Sequence, residues 1–123
     1  MGQRILGRLL IEAHCEVKVS IISYEEQMRG WLSEISVSRH PEQQRDNYAK
    51  LDRMLEYYCS SIIALFDDAA ITVFQNLWLQ RIRVGTMDLK IASIAIANDA
   101  VLLTRNTQDF SRIPGLKFED WSV

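Results

Sequence analysis

An α/β domain with a mainly parallel sheet is the fold class this sequence predicts. Three observations carry the prediction. Short apolar runs alternate along the chain with longer segments of helical periodicity. The candidate strands are continuous apolar stretches, such as Val101-Leu102-Leu103, as strands covered on both faces are. The chain has 123 residues, 48% of them hydrophobic, which suits one domain, 1–123, with a real core.

The elements follow in order. Residues 5–14 place Ile5, Leu6, Leu9, Leu10 and Ala13 at helical spacing, which predicts a helix. Residues 17–22 alternate and then become fully apolar, as a short buried strand does. Ser23 follows as a helix N-cap, with Glu26 three residues on in a capping-box pattern. Met28, Trp31, Leu32 and Ile35 make the apolar face of that helix. Residues 37–43, with Pro41, read as a loop, and a long helix is expected over 44–59. Its stripe is Tyr48, Leu51, Met54, Leu55 and Tyr58. Residues 61–66 read as a buried strand, and Asp67 or Asp68 caps the next helix. That helix carries Ala70, Val73, Phe74, Leu77 and Trp78, and Gly85 is placed to end it. Thr86 caps a further, largely apolar helix over 87–98. A strand at 101–104, a loop at 105–115 and an edge strand at 116–118 complete the chain.

Composition removes some function classes. A net charge of −2 carries no global nucleic-acid signature, so any RNA surface must be a local patch. No uncharged apolar run approaches the roughly 18 residues needed to span a membrane. The N-terminus lacks the pattern of a signal peptide, so a cytoplasmic location is expected. Cys15 and Cys59 have no metal-ligand spacing; two cysteines allow a disulfide, and the favoured reading is buried free thiols in a reducing compartment.

In a mainly parallel sheet, ligands bind beyond the C-terminal ends of the strands. Strand 17–22 exits toward Glu25 and Glu26, and strand 101–104 exits toward Asn106 and Asp109. Asp88 lies in the first turn of the helix that leads into the latter strand. Converging carboxylates suit Mg²⁺ or Mn²⁺, hard cations that require oxygen ligands. Each acid also has a plainer reading. Glu26 closes a capping box at Ser23, Asp88 favours a helix N-terminus by roughly 0.3–1 kcal/mol, and Asp109 orders its own loop.

Four segments, in order, resemble one family. Val19-Ser20-Ile21-Ile22-Ser23-Tyr24-Glu25-Glu26-Gln27-Met28-Arg29-Gly30 resembles the second strand and following helix of PIN-domain nucleases. The family's functional Glu there stands four residues before a Gly, which selects Glu26. Thr86-Met87-Asp88-Leu89-Lys90-Ile91-Ala92 resembles its helix opened by an Asp, and Val101 to Phe110 resembles the strand and acidic loop that follow. Ile113-Pro114-Gly115-Leu116 with Glu119-Asp120-Trp121 is similar to the ending of the VapC-type toxin branch.

The resemblance implies a three-layer domain with helices on both sides of the sheet. It implies an Mg²⁺- or Mn²⁺-dependent ribonuclease, held in check by an antitoxin protein and forming homodimers. Glu26, Asp88 and Asp109 would be the catalytic metal ligands, with Thr104 and Asn106 as supporting polar groups. Arg105, Arg112, Arg81 and Arg83 are candidate RNA phosphate contacts, and equally readable as solvated surface charge. The family's first, central strand, which ends in a ligand Asp, has no counterpart before residue 5. A gap between strands 17–22 and 101–104 is therefore expected, filled by a rearranged N-terminal segment or a partner chain. Glu12 and Glu16 are the acids nearest to replacing that Asp. The same departure supports an alternative function: a catalytically impaired relative that binds protein or RNA. A flavodoxin-like domain whose acids only cap helices is a third reading, which no Gly-rich phosphate loop supports.

Overall fold

A computed structural model describes residues 9–12 and 16–120. In chain order it contains β1 (Leu9–Ile11), β2 (Val17–Ser20), α1 (Ile21–Val37), α2 (Pro41–Cys59) and β3 (Ile63–Ala64). Then follow α3 (Asp68–Leu79), α4 (Thr86–Ala97), β4 (Val101–Leu103), α5 (Thr107–Phe110) and β5 (Lys117–Glu119). The strands form one sheet in the order β3-β2-β1-β4-β5. β3 is parallel to β2, and β5 to β4, while β1 is antiparallel to both of its neighbours. Four strands thus run one way and β1 alone runs against them, so the expectation of a mainly parallel sheet holds.

The gap expected between the strands at 17–22 and 101–104 is filled by the chain's own β1. Leu9, Leu10 and Ile11 pair with Val19, Lys18 and Val17 on one side and with Leu103, Leu102 and Val101 on the other. The helix predicted over 5–14 is therefore not formed at Leu9–Ile11; the rest of that span lies largely outside the described residues. Periodicity could not decide this case. A short apolar run fits a helix face and a central strand equally, and Leu10 is completely buried.

Side-chain alternation across this register builds two cores. Leu9, Val19 and Ile63 pack with Trp31, Met54 and Tyr58 of α1 and α2. Leu10, Leu102 and Ala64 pack with Ala70 and Leu77 of α3 and with Leu89, Ile91, Ala92 and Ala95 of α4. Helices on both faces of the sheet give the three layers.

Several boundaries differ from expectation for identifiable reasons. The strand at 17–22 stops at Ser20, which is the N-cap of α1; its Oγ accepts a hydrogen bond from the Ser23 N–H at 3.0 Å. Ile21 and Ile22 look like strand but occupy the first helical positions. Ser23 is buried inside the first turn, so the capping box ending at Glu26 does not exist. α2 begins at Pro41, inside the predicted loop, because proline suits the first helical position. On α2, Tyr48 and Leu55 face solvent, while Asn47 is buried and donates from Nδ2 to Ser38 Oγ at 2.7 Å. The strand predicted at 61–66 is only Ile63–Ala64, the loop 105–115 contains α5, and the edge strand is Lys117–Glu119.

Gly85 does not end α3. The helix stops at Leu79, and the left-handed position after its C-cap is taken by Arg81, with φ 52°. That conformation costs a residue with a Cβ roughly 1–2 kcal/mol. Gly85 is instead the N-cap of α4, with Thr86 the first helical residue. Cys59 is exposed rather than buried, and Cys15 lies outside the described residues. Among the described residues no helix is long and apolar enough to cross a membrane.

Candidate functional site

β2 and β4 run in the same direction on either side of β1, so their C-terminal ends share one edge of the sheet. Glu26 follows β2 within the second turn of α1. Asp88 is the third residue of α4, whose C-terminal end turns directly into β4. Its N-terminus therefore comes back to the edge where β4 ends. Asp109, in α5, follows β4 itself. The topology thus brings all three predicted acids to one end of the sheet, and each is half-buried.

The best-defined part of this edge is the turn after β4. Thr104 is buried, and its N–H donates to the Glu119 carbonyl at 3.0 Å, extending the pairing of β4 with β5. Its hydroxyl accepts from the Asn106 N–H at 3.0 Å. Asn106 caps α5: its Oδ1 accepts from the Asp109 N–H at 3.4 Å, and its Nδ2 donates to Asp109 Oδ2 at 3.0 Å. Thr104, Asn106 and Asp109 are therefore one hydrogen-bonded unit in which the carboxylate is held by its neighbours rather than by its own backbone.

β1 brings no acid from its C-terminal end to this edge. Because β1 is reversed, the edge receives its first residue, Leu9, level with Val19 and Leu103. Its last residue, Ile11, pairs with Val17 and Val101 at the opposite edge. Glu12 lies there, ion-paired with Lys18 at 2.8 Å and with its N–H donating to the Glu16 carbonyl at 3.0 Å. Neither Glu12 nor Glu16 can stand in for a ligand at the other end of the sheet.

The donors at the acidic edge are all oxygens, the right kind for Mg²⁺ or Mn²⁺. Their number is smaller than a closed cage needs. Among the described residues no three His, Cys, Asp or Glu side chains are close enough to hold a metal ion together. Mg²⁺ takes one or two carboxylates and completes its shell with water and substrate phosphate. This edge fits that mode of binding, not an all-protein cage.

The arginines are partly gathered. Arg112 Nη1 donates to the Arg83 carbonyl at 3.1 Å, tying the end of α5 to the loop between α3 and α4. Arg81 is in the same loop, and Arg105 follows Thr104; all four are exposed.

Tyr58, close enough to feel the charge of Glu26, reads in the sequence only as part of a helix stripe. It packs edge-to-face on Tyr24 at 5.1 Å and on Tyr57 at 5.2 Å. Burial first, then Tyr57, Glu26 and Tyr24, push its phenol well above the ordinary value near 10. The neutral form is native, whereas the unfolded chain ionises near 10. The stability Tyr58 contributes is therefore complete below about pH 10 and is lost as pH rises above it. Urea midpoints measured from pH 8 to 11 are expected to fall less steeply in Tyr58→Phe than in the parent. Parallel curves would contradict this assignment.

No family model matches the chain. Known proteins do. "Ribonuclease VapC1" of Haemophilus influenzae (strain R2866) is 27% identical over 109 residues, covering 85% of this chain and 73% of that protein. The "tRNA(fMet)-specific endonuclease VapC" of Shigella flexneri is 36% identical over 74 residues, 56% of each chain. Among solved structures, VapBC2 from Rickettsia felis, bound to a DNA fragment from its promoter, contains a chain of similar fold. The TM-score is 0.64 at 31% identity, covering 85% of this chain and 74% of that one.

Proposed function

This chain belongs to the VapC-type toxin branch of the PIN-domain family, and on that premise we propose that it is a divalent-metal-dependent endoribonuclease, the toxin of a toxin–antitoxin pair. The observation that carries the reading is the shared edge. Glu26, Asp88 and the Thr104–Asn106–Asp109 unit all stand where β2 and β4 end. The ribonuclease names of its relatives and the VapBC complex among its structural neighbours support it.

One or two carboxylates from among Asp88, Asp109 and Glu26 would hold Mg²⁺ or Mn²⁺, with water and a phosphate of the RNA completing its shell. The metal, when bound, supplies charge that makes water a better nucleophile and offsets charge on the leaving oxygen. The residues of the chain supply position. Thr104 sets the turn after β4, and Asn106 orients the Asp109 carboxylate through its Nδ2–H. Correct placement of ligands and substrate is worth orders of magnitude in rate. Exposed Arg105 and Arg112 are suited to contact RNA phosphates on either side. Large apolar side chains at Leu32, Val37, Leu55 and Leu65 stand exposed and offer surface for an antitoxin and for a second copy of the chain.

A second reading rests on a specific observation. Only part of a metal cage is present among the described residues, and the reversed β1 brings no acid from its C-terminal end. That arrangement suits a relative that keeps partner or RNA binding with weakened catalysis. One assay separates the two. Cleavage of single-stranded RNA is expected with Mn²⁺ or Mg²⁺ and is expected to vanish in excess EDTA. Undiminished cleavage in EDTA rules out the metal mechanism. No cleavage at any metal concentration, with RNA or antitoxin binding intact, establishes the second reading.

A further inference from the structure

Beside Asp88 lies a groove that the acidic edge does not explain. The last turn of α3, the loop after it and the first turn of α4 enclose an open space of about 600 Å³. Its walls include Trp78, Leu79, Arg81, Ile82 and Thr86, and among the described residues no acidic side chain lines it. Trp78 is 57% exposed, an unusual state for the largest apolar side chain on a helix that also supplies the core residues Ala70 and Leu77. Its ring does not hang free. It leans on Phe74, centroids 5.6 Å apart and planes 41° apart, and Phe74 packs edge-to-face on Phe66 at 5.7 Å. An exposed indole held by an aromatic support is a preformed stacking surface.

Arg81 lines the groove, Arg83 lies in the chain between the lining residues Ile82 and Val84, and Arg112 is bonded to the carbonyl of Arg83. Arg81, Arg83 and Arg112 are exposed, and none forms an ion pair among the described residues. In a chain of net charge −2, this gathers three positive charges on one short stretch of surface. Arg81 holds its place with a left-handed backbone that glycine would adopt more readily. Arg112 is tied to the backbone carbonyl of Arg83, which holds the Arg112 guanidinium against the loop between α3 and α4. An apolar protein segment would account for Trp78 and Leu79 but not for these arginines. A strand of unpaired nucleotides accounts for both, because each unit offers a flat ring to stack and an anion to hold.

We propose that this groove is a nucleobase subsite: Trp78 stacks on one unpaired base of an RNA strand while Arg81, Arg83 and Arg112 hold its flanking phosphates. The subsite rests on the ribonuclease reading only in placing that base next to the cleaved bond, since Thr86 of the groove and Asp88 share the first turn of α4. It gives the site a requirement for single-stranded substrate, because a paired base cannot enter the groove.

The test is binding, so it does not depend on turnover. The Asp88→Asn chain, in EDTA, is titrated with a short single-stranded RNA by fluorescence anisotropy. The same oligomer is then used with an abasic residue placed at each position in turn. Adding Trp78→Ala is expected to raise Kd about tenfold, and Trp78→Phe to recover most of that. One abasic position is expected to weaken the parent about tenfold and to leave Trp78→Ala unchanged. Arg81→Ala is expected to lower the slope of log Kd against log salt by about 0.7. Equal binding by parent and Trp78→Ala overturns the subsite, as does an abasic loss that persists in full in Trp78→Ala. Unchanged RNA affinity with lost self-association or lost antitoxin binding also overturns it and assigns the face to a protein. Trp78-dependent binding by a chain whose Asp88 parent cleaves nothing supports the subsite while removing the nuclease reading.

Discussion

Asp88→Asn is expected to lower the rate of Mn²⁺-dependent RNA cleavage by about 100-fold or more, with the fold intact. A bound metal ion stabilises the charge of a transition state by several kcal/mol, and each 1.4 kcal/mol is about tenfold in rate. The substitution keeps the shape of the side chain and removes its charge. Its structural cost is small, because an acid in the first turn of a helix is worth only about 0.3–1 kcal/mol. α4 is moreover anchored by Leu89, Ile91, Ala92 and Ala95, all buried in the larger core. The two roles for Asp88 therefore separate cleanly. If it only favours the helix N-terminus, Asn leaves cleavage unchanged and shifts the melting temperature by a few degrees. If it holds metal, cleavage collapses, circular dichroism is preserved, and added Mn²⁺ restores part of the loss. Asp109→Asn would be a poorer probe, because Asn106 donates to Asp109 Oδ2 and the turn itself depends on that bond.

Much of this edge was legible in the sequence because its parts are local. The buried run Val101–Leu103, the helix opened by Asp88 and the polar turn after Thr104 are each written in consecutive residues, and each stands where expected. What sequence reading missed depended on non-local packing. Ile21 and Ile22 read as the end of a strand and put the expected N-cap at Ser23, yet Ser20 is the residue whose side chain accepts the Ser23 N–H. The correction matters for function, because it removes the capping-box role that competed for Glu26. Gly85 looked like the end of α3 because glycine tolerates positive φ, but Arg81 takes that conformation instead. The exposure of Trp78 was invisible for a similar reason. Its spacing matches that of core residues, and only the direction of α3 against α4 turns it toward the groove.

The deepest difference lies at the centre of the sheet, and Leu10→Ala tests it. Leu10 is completely buried in the middle strand, between Lys18 of β2 and Leu102 of β4, with its side chain in the core built by α3 and α4. Removing a buried leucine costs about 2–5 kcal/mol, the lost transfer energy plus the cavity left behind. Domains of this kind are typically stable by only about 5–15 kcal/mol. The variant is therefore expected to lose a large part of its stability, seen as a lower urea midpoint with the m-value unchanged. Leu55→Ala is the control: Leu55 belongs to the predicted apolar stripe of α2 but is 49% exposed, so its loss is expected to be much smaller, of order 0.5 kcal/mol. Similar losses for the two variants would mean that β1 does not fill the gap between β2 and β4. A large difference would mean that it does, and the reversed direction of that strand then has a chemical consequence. Sheet closure needs only apolar side chains and paired backbone, and β1 supplies both in either direction. A metal ligand needs a carboxylate at one particular end, and a reversed strand delivers its C-terminal end to the other. Stability and catalysis thus make separate demands on the same central position, and Leu10→Ala is expected to damage the first without altering the ligands that Asp88 and Asp109 provide for the second.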